Sequence, residues 1–186
     1  MLALARVGAD EQISKVVSRL KPYPHEGYSR DEQLAVLRCY ELLLLRGVSI
    51  PTDRTEGIAR NFPGIHASVN RSTSSLLVAL KSTEVVAQML QLLAATEDQA
   101  EQLYYLDVLS KAEAGWSPEY RETFFRALQR ARSFNGDKSF PGFVSRIRKR
   151  AVQCLTGERG DGAGTDFFSQ SISAESRDFS AAKTAT

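Results

Sequence analysis

The chain has 186 residues, of which 42% are hydrophobic and 25% are charged, and this composition is typical of a single globular domain with a core. The net charge of +2 indicates no class of partner, although residues 117–155 hold nine Lys or Arg against three Asp or Glu. No run of 18 apolar residues is present, which argues against a membrane-spanning helix, and the early charges at Arg6 and Asp10 are not those of a signal peptide.

Helical periodicity begins near the amino terminus. Residues 10–20 carry apolar side chains at the i, i+3, i+4, i+7 spacing of one helix face, and the prolines that follow end that helix. The next helix is predicted to begin at a capping box formed by Ser29 and Glu32 and to end at Gly47. Residues 42–45 within it are all leucine, so we expect this helix to be sandwiched between neighbouring helices.

The middle of the chain continues the helical pattern. Residues 51–64 are predicted to form a short helix at best, and two longer helices follow, joined by a tight connection near Ser82. A second capping box, formed by Thr96 and Gln99, is predicted to open the next helix. The last helix is predicted over residues 140–155.

These segments amount to about eight helices separated by short connections, and strand alternation is nearly absent. Helices linked so closely tend to be antiparallel neighbours, and in pairs they recur roughly every 35–45 residues, near the period of HEAT and armadillo repeats. The predicted fold is therefore all-α, with antiparallel helical hairpins stacked as a HEAT/armadillo-like α-solenoid. An irregular helical bundle is the alternative.

The predicted repeat domain covers residues 1–156. Its first residues, closed by Gly8, resemble the end of a helix, so the chain is expected to begin inside a repeat. Residues 157–186 are rich in Gly, Ser and Ala, and they hold too few large apolar side chains to offset the entropy of ordering the chain. They are predicted to form a flexible, disordered tail.

A Trp-containing turn connects two of the predicted helices. Gly115 suits the residue that ends a helix, Ser117 is a favoured N-cap, and Pro118 suits the first helical position. Trp116 is interpreted as a packing plug at this joint, with Arg121 as a candidate for cation–π stacking on the indole. The predicted structural joint comprises Gly115, Trp116, Ser117, Pro118, Phe124 and Phe125.

The last helix carries a basic face opposite its apolar face. A ridge of positive charge can bind an acidic protein, a phosphate or a nucleic acid, whereas a charged face exposed to water is the simpler explanation. No aromatic interleaving or DNA-reading motif accompanies the ridge, which argues against nucleic acid. The candidate partner-binding residues are Arg146, Lys149, Arg150, Arg126 and Arg130.

No residue pattern predicts catalysis, a metal or a cofactor. His25 and His66 have no ligand partners at metal-binding spacing, apart from Glu26, which cannot suffice alone. Cys39 and Cys154 are expected to be buried free thiols, with a disulfide between them as the alternative. The chain is therefore predicted not to be an enzyme and to have no catalytic, cofactor-binding or metal-binding residues.

A longer pattern runs over residues 34–155. Its most specific part is the run Gly115-Trp116-Ser117 with Phe124-Phe125 after it, and Val69–Arg71 and the late FPGFVSRIRKRAV support it. This pattern resembles the HEAT-like helical-repeat region of very large proteins of Planctomycetes and Verrucomicrobia. Those are described as membrane-bound-dehydrogenase-like or haem-binding proteins, and they combine a β-propeller, a helical stretch and a c-type cytochrome module.

The resemblance implies a parent protein of periplasmic or cell-surface electron transfer or sugar oxidation. Within it, this chain would be a scaffold that contacts a protein partner or other domains of the same polypeptide. Haem c is implied for the parent alone, because this chain lacks the Cys-x-x-Cys-His that attaches haem. The alternative function is a free-standing module whose basic ridge binds an acidic protein or a nucleic acid.

Overall fold

The protein is all-α in the part of the chain that its structure describes. The structure is a computed structural model that describes residues 27–136, 138 and 140–156, together with residues 5, 8, 15, 16 and 18–20. The described residues from 27 to 156 form seven α-helices, and no described residue of the chain is in a strand. The helices are α1 (Arg30–Leu45), α2 (Thr52–Arg60), α3 (Ala67–Ala79), α4 (Val85–Ala95), α5 (Gln99–Leu109), α6 (Pro118–Ala131) and α7 (Phe140–Thr156).

Two sequence predictions fall wholly or largely outside the described residues. The helix predicted over residues 10–20 is described only in part, and its residues 15, 16, 18 and 19 are helical. The predicted tail, residues 157–186, lies outside the described part entirely.

Close packing occurs between helices that are one or two positions apart in the chain. α1 contacts α3, α3 contacts α5, and α5 contacts α7, while α4 contacts α6. Sequential neighbours from α2 to α7 also pack on one another. Burial of apolar side chains between these helices is the main favourable contribution to folding. The fully buried side chains include Leu37, Leu43, Leu76, Leu77, Met89, Leu106, Leu109, Phe124 and Ile147.

α1 begins and ends at the predicted signals. The Ser29 side chain accepts a hydrogen bond from the amide of Glu32, and the Glu32 carboxylate accepts one from the amide of Ser29 at 2.9 Å. These two bonds confirm the capping box. Gly47 follows the helix with φ +73°, and its amide donates to the carbonyl of Leu44 at 2.9 Å, which closes the last turn.

The four leucines of α1 differ in burial. Leu43 is fully buried, and Leu42 and Leu44 pack against the core while remaining partly exposed, but Leu45 is 77% exposed. The expectation of a helix covered by neighbours is therefore wrong for Leu45. The side chains of consecutive helical residues point in directions about 100° apart. Four leucines in a row therefore cannot all face α3, the helix on which α1 packs.

α5 begins at a different cap from the predicted one. Asp98 is the N-cap, and its side chain accepts from the amides of Ala100 at 2.8 Å and Glu101 at 3.2 Å. Thr96 instead ends α4, and its hydroxyl accepts from the Asp98 amide at 3.3 Å. The predicted capping box of Thr96 and Gln99 is therefore wrong. Asp98 caps well because its carboxylate also suits the positive end of the helix dipole.

The tight connection predicted near Ser82 follows α3. Lys81 has φ +57°, in the left-handed region that residues other than glycine rarely adopt. Its amide donates to the carbonyl of Val78 at 3.0 Å, and the amide of Ser82 donates to that of Leu77 at 3.0 Å. These two bonds form a Schellman motif, with a lysine in the place where glycine is usual.

Candidate functional site

The Trp-containing joint between α5 and α6 lies against the connection between α3 and α4. Gly115 has φ +84°, and a Cβ added to it would lie 2.2 Å from the carbonyl oxygen of Thr83. Beside this contact, Lys81 pairs with the Glu113 carboxylate at 2.8 Å. Position 115 therefore requires glycine for two separate reasons, the positive φ and the close approach of another backbone segment.

Trp116 is half-buried and is held from two sides. Its indole Nε1–H donates to the carbonyl of Ala112 at 2.9 Å. Its ring packs edge-on against the fully buried Phe124, with centroids 5.4 Å apart, and Phe124 packs in the same way on Phe125 at 5.3 Å. A bonded indole N–H and an edge-on ring contact are the usual features of a tryptophan that packs at a helix joint.

Ser117 and Pro118 begin α6. The Ser117 side chain accepts from the amide of Tyr120 at 3.1 Å, and Pro118 stands in the first turn, where its missing N–H has no helical acceptor to lose. The cation–π contacts within the described residues are made by arginines other than Arg121. The ring of Trp116 packs on Phe124 instead, so the stacking interpretation of Arg121 is wrong.

Arg150, a predicted ridge residue on α7, is bound to α5. Its Nη1 donates to the Asp107 carboxylate at 2.8 Å and to the Ser110 hydroxyl at 3.3 Å, and Lys111 pairs with Asp107 at 2.7 Å. Burial raises the pKa of Asp107, but the hydrogen bonds and charges of Lys111 and Arg150 outweigh burial and lower the pKa below its usual value. Arg150 therefore joins two helices rather than standing free.

The other four predicted ridge residues are exposed, but their surroundings differ. Arg126 pairs with an acidic residue one turn earlier on α6, and the Arg146 guanidinium lies over the ring of Phe143, 5.8 Å from its centroid. Arg130 and Lys149 make no salt bridge within the part of the chain that the structure describes. Among the described residues, Arg130, Arg146 and Lys149 are thus the candidates whose exposed charge is outside any salt bridge.

A polar network between α3 and α5 was missed by the sequence analysis. Arg71 donates from Nε to the Glu101 carboxylate at 2.8 Å and also from Nη2, and Glu101 is buried. The Tyr104 hydroxyl donates to the carbonyl of Arg71 at 2.7 Å and lies 2.7 Å from the hydroxyl of Ser75.

Tyr105, the next residue on α5, is buried. Its burial, with the Glu101 carboxylate as a further cause, raises the pKa of the Tyr105 hydroxyl.

This network joins α3 to α5 through an ion pair. The carboxylate of Glu101 is neutralised by the guanidinium of Arg71, which also lies over the ring of Tyr104, 5.6 Å from its centroid. Removal of the Arg71 charge would leave the buried Glu101 carboxylate without its partner, whereas Arg71 itself is exposed. Arg71 and Glu101 are 30 positions apart, so no local sequence pattern reveals their contact. Arg71 also belongs to the Val69–Arg71 run on which the resemblance partly rests.

Side chains from two helices hold the connection between α2 and α3. Asn70 is buried, its Oδ1 accepts from the amide of Gly64 at 2.7 Å, and its Nδ2 donates to the carbonyl of Gly64 at 2.9 Å. Gln88 on α4 donates to the carbonyls of Ala59 at 3.2 Å and Phe62 at 2.9 Å. The sequence analysis also missed these contacts, because a side-chain amide that binds a backbone group outside its own helix leaves no periodic signal.

Histidine and cysteine side chains are common metal ligands, and the chain has two of each. His66 is exposed at the start of α3, and His25 lies outside the described residues. Both cysteines are free, and Cys39 is buried as expected, whereas Cys154 is exposed. The expectation of burial is wrong for Cys154 because the buried stripe of α7 ends at Ala151. No group of three His, Cys, Asp or Glu side chains that could hold a metal ion occurs among the described residues.

Of the helices that the structure describes, none has the length and apolarity needed to cross a membrane. The chain matches no family model, no curated protein and no solved structure.

Proposed function

We propose that the chain is a non-catalytic helical-repeat scaffold whose hairpins stack as a HEAT/armadillo-like α-solenoid. The observation that carries this proposal is the order of packing. α1, α3, α5 and α7 contact one another in succession, and α4 contacts α6. Repeats in a solenoid contact their neighbours in the chain, whereas a closed bundle also brings its first and last helices together.

The contacts between α3 and α5 support this arrangement. Arg71 meets Glu101 near the start of both helices, and Ser75 meets Tyr104 about one turn further along both. The two helices therefore run in the same direction, as alternate helices do in a stack of antiparallel hairpins. The connections that follow α3 and α5 also touch each other.

We infer that the scaffold belongs to a haem-binding, dehydrogenase-like multidomain protein. Support comes from the residues that carry the resemblance, since Asn70, Arg71, Gly115 and Trp116 all make contacts that position helices or connections. Other modules of the parent would hold haem c and carry out the redox chemistry. This segment would hold those modules or a protein partner in place, in the periplasm or at the cell surface.

The coding sequence on either side of this chain tests the parent protein. A β-propeller-coding region upstream and Cys-x-x-Cys-His codons downstream are the expected result, and flanks that lack both would overturn the assignment. The scaffold role is tested with the purified chain, sugars and an artificial electron acceptor. We expect no turnover, and reproducible turnover by the purified chain would overturn that role.

A second candidate function is the binding of an acidic protein by α6 and α7. The observation that favours it is the exposure of Arg130, Arg146 and Lys149, which form no salt bridge within the described residues. Poly-glutamate is a suitable probe, and its binding should weaken with added salt and with the double change Arg146→Ala and Lys149→Ala. Arg126→Ala is the matched control, because that side chain is already paired.

Two outcomes would contradict this second candidate. Binding that is insensitive to salt and to the double change would mean that the basic residues take no part. Stronger binding to duplex DNA than to poly-glutamate would replace the protein partner with a nucleic acid.

A further inference from the structure

Five exposed cations on α6, on α7 and in the turn between them make no salt bridge within the described residues. They are Arg130, Arg132, Lys138, Arg146 and Lys149. The neighbouring cations Arg126 and Arg150 are already paired with carboxylates. An acidic ligand would therefore bind the five without first breaking an ion pair of the fold.

Two of these cations lie on α7 together with a partly exposed aromatic ring. Phe143, Arg146 and Lys149 are spaced by three residues, so they follow one side of the helix, which we call the α7 face. The Arg146 guanidinium lies 5.8 Å from the centroid of the Phe143 ring, and Phe143 is only partly buried. Along the helix axis, Lys149 lies about 10 Å and Arg146 about 15 Å before Thr156, the last described residue.

The sequence that follows α7 carries groups complementary to this face. Residues 160–174 contain Asp161 and Asp166 but no Lys or Arg, and two phenylalanines follow Asp166 directly. Residues 175–186 hold two acidic and two basic side chains, so their charges cancel. The complementarity to the α7 face is therefore confined to the part of the sequence nearer to α7.

The length of this segment allows it to fold back along the helix. Five extended residues span at most about 17 Å and ten span about 34 Å, so Asp161 reaches Lys149 and Asp166 reaches Arg146. Residues 157–164 include four glycines, which allow a chain to reverse its direction at little cost. The covalent link also gives the segment an effective concentration on the order of millimolar at the α7 face, so weak contacts are enough to hold it.

We propose that residues 161–168 of this chain bind the α7 face as an internal ligand, which an acidic partner protein must displace. The two aspartates lie against Lys149 and Arg146, and the two phenylalanines cover the exposed part of the Phe143 ring. A segment that becomes ordered only on binding is compatible with the low apolar content of residues 157–186. The inference rests on the second candidate function, because it assigns to the same basic residues a ligand within the chain.

Binding of poly-glutamate to the full chain tests the internal ligand. Asp161→Ala with Asp166→Ala should strengthen this binding about threefold, because a segment that covers the face for about two-thirds of the time lowers the apparent affinity by that factor. Glu175→Ala with Asp178→Ala is the matched control. It removes the same charge from the part of the segment whose charges cancel, and it should leave the affinity unchanged.

The poly-glutamate measurements separate the internal ligand from the second candidate function. Salt-dependent binding that responds to neither double change, or equally to both, would overturn the internal ligand and leave the basic residues as a binding surface. An absence of binding by the unchanged chain and by both variants would overturn both proposals.

Carbodiimide cross-linking of the full chain tests the contact itself, because this reagent joins a lysine amine to a carboxylate beside it. The ion pair of Lys81 with Glu113, at 2.8 Å, is the positive control. We expect Lys149 to be joined to Asp161 or Asp166 of the same chain, identified by mass spectrometry of the monomer. Recovery of the control link without a link from Lys149 to either aspartate, or with such links only between two copies of the chain, would overturn the proposal.

Discussion

Gly115 and Gly47 both have positive φ, but their surroundings differ. A Cβ at Gly115 would lie 2.2 Å from the carbonyl oxygen of Thr83, whereas a Cβ at Gly47 would meet nothing within 4 Å. Gly47→Ala should therefore lower the free energy of unfolding by about 1 kcal/mol, the cost of the left-handed backbone alone. Gly115→Ala adds a steric clash to that cost and should lower it by about 3 kcal/mol or more.

Urea denaturation of the two glycine variants and the unchanged chain measures this difference. Similar losses at positions 47 and 115 would mean that the contact of Gly115 with Thr83 contributes nothing to stability.

Trp116 differs from Phe124 in burial, although their rings touch. Phe124 is fully buried, so Phe124→Ala should cost about 3–5 kcal/mol of stability, as large-to-small changes in a core do. Trp116 is half-buried, and its replacement by Ala should cost about 2–3 kcal/mol, which combines lost packing with a lost hydrogen bond to Ala112. Thermal denaturation compares the two, and a near-zero effect of Trp116→Ala would leave the indole available for a partner.

At the scale of single elements, the end of α3 contains backbone strain. Lys81 occupies the left-handed position of the Schellman motif, where glycine is favoured. Lys81→Gly should raise the free energy of unfolding by about 0.5 kcal/mol, because relief of the strain exceeds the added entropy of the unfolded chain. Lys81→Ala is the control, since it removes the ion pair with Glu113 and keeps the strained backbone. Stabilisation by both changes would assign the effect to the side chain.

The stability of the interface between α5 and α7 is expected to depend on pH, because Asp107 on α5 binds Arg150 on α7. Its folded-state pKa lies below the usual value, so its ionised form stabilises the fold above the unfolded-state pKa, and this contribution is lost as the pH falls. Asp107→Asn should cost about 1 kcal/mol at pH 7, as charged pairs that are partly exposed do. The difference in melting temperature between the two proteins should shrink as the pH falls below about 4, the unfolded-state pKa of Asp. It should disappear below the lower folded-state pKa of Asp107. A difference in melting temperature that stays constant from pH 7 to below pH 4 would contradict a stabilising role for the ionised Asp107 carboxylate.

At the scale of the whole molecule, the all-α class was predictable because helix signals are local. The capping box of Ser29 and the stop at Gly47 lie within a few residues of the helix ends that they define. The cap of α5 was less certain, since Thr96 and Asp98 are both favoured N-cap residues. The exposure of Leu45 depends on where neighbouring helices lie, and no local pattern contains that information.

The candidate site was less predictable than the fold. Basic residues on α7 are visible in the sequence, but the pairing of Arg150 with Asp107 joins positions 43 apart. The contact of Arg71 with Glu101 and that of Gly115 with Thr83 likewise form only when helices pack. A helical pattern identifies which side chains face a neighbour, and the identity of that neighbour is a property of the tertiary structure.

The packing order predicts that the two ends of the molecule are energetically separable. In a chain of neighbour contacts, stability is a sum of local interfaces. Ile147→Ala should speed hydrogen exchange in α7 and in its neighbours α5 and α6 and leave α1 unaffected. Leu77→Ala is the comparison. Leu77 is buried in the last turn of α3, and α3 contacts α1, α2, α4 and α5, so this change should speed exchange across most of the chain. Mass-spectrometric hydrogen exchange resolves the helices, and a uniform response to Ile147→Ala would indicate one cooperative bundle instead of stacked repeats.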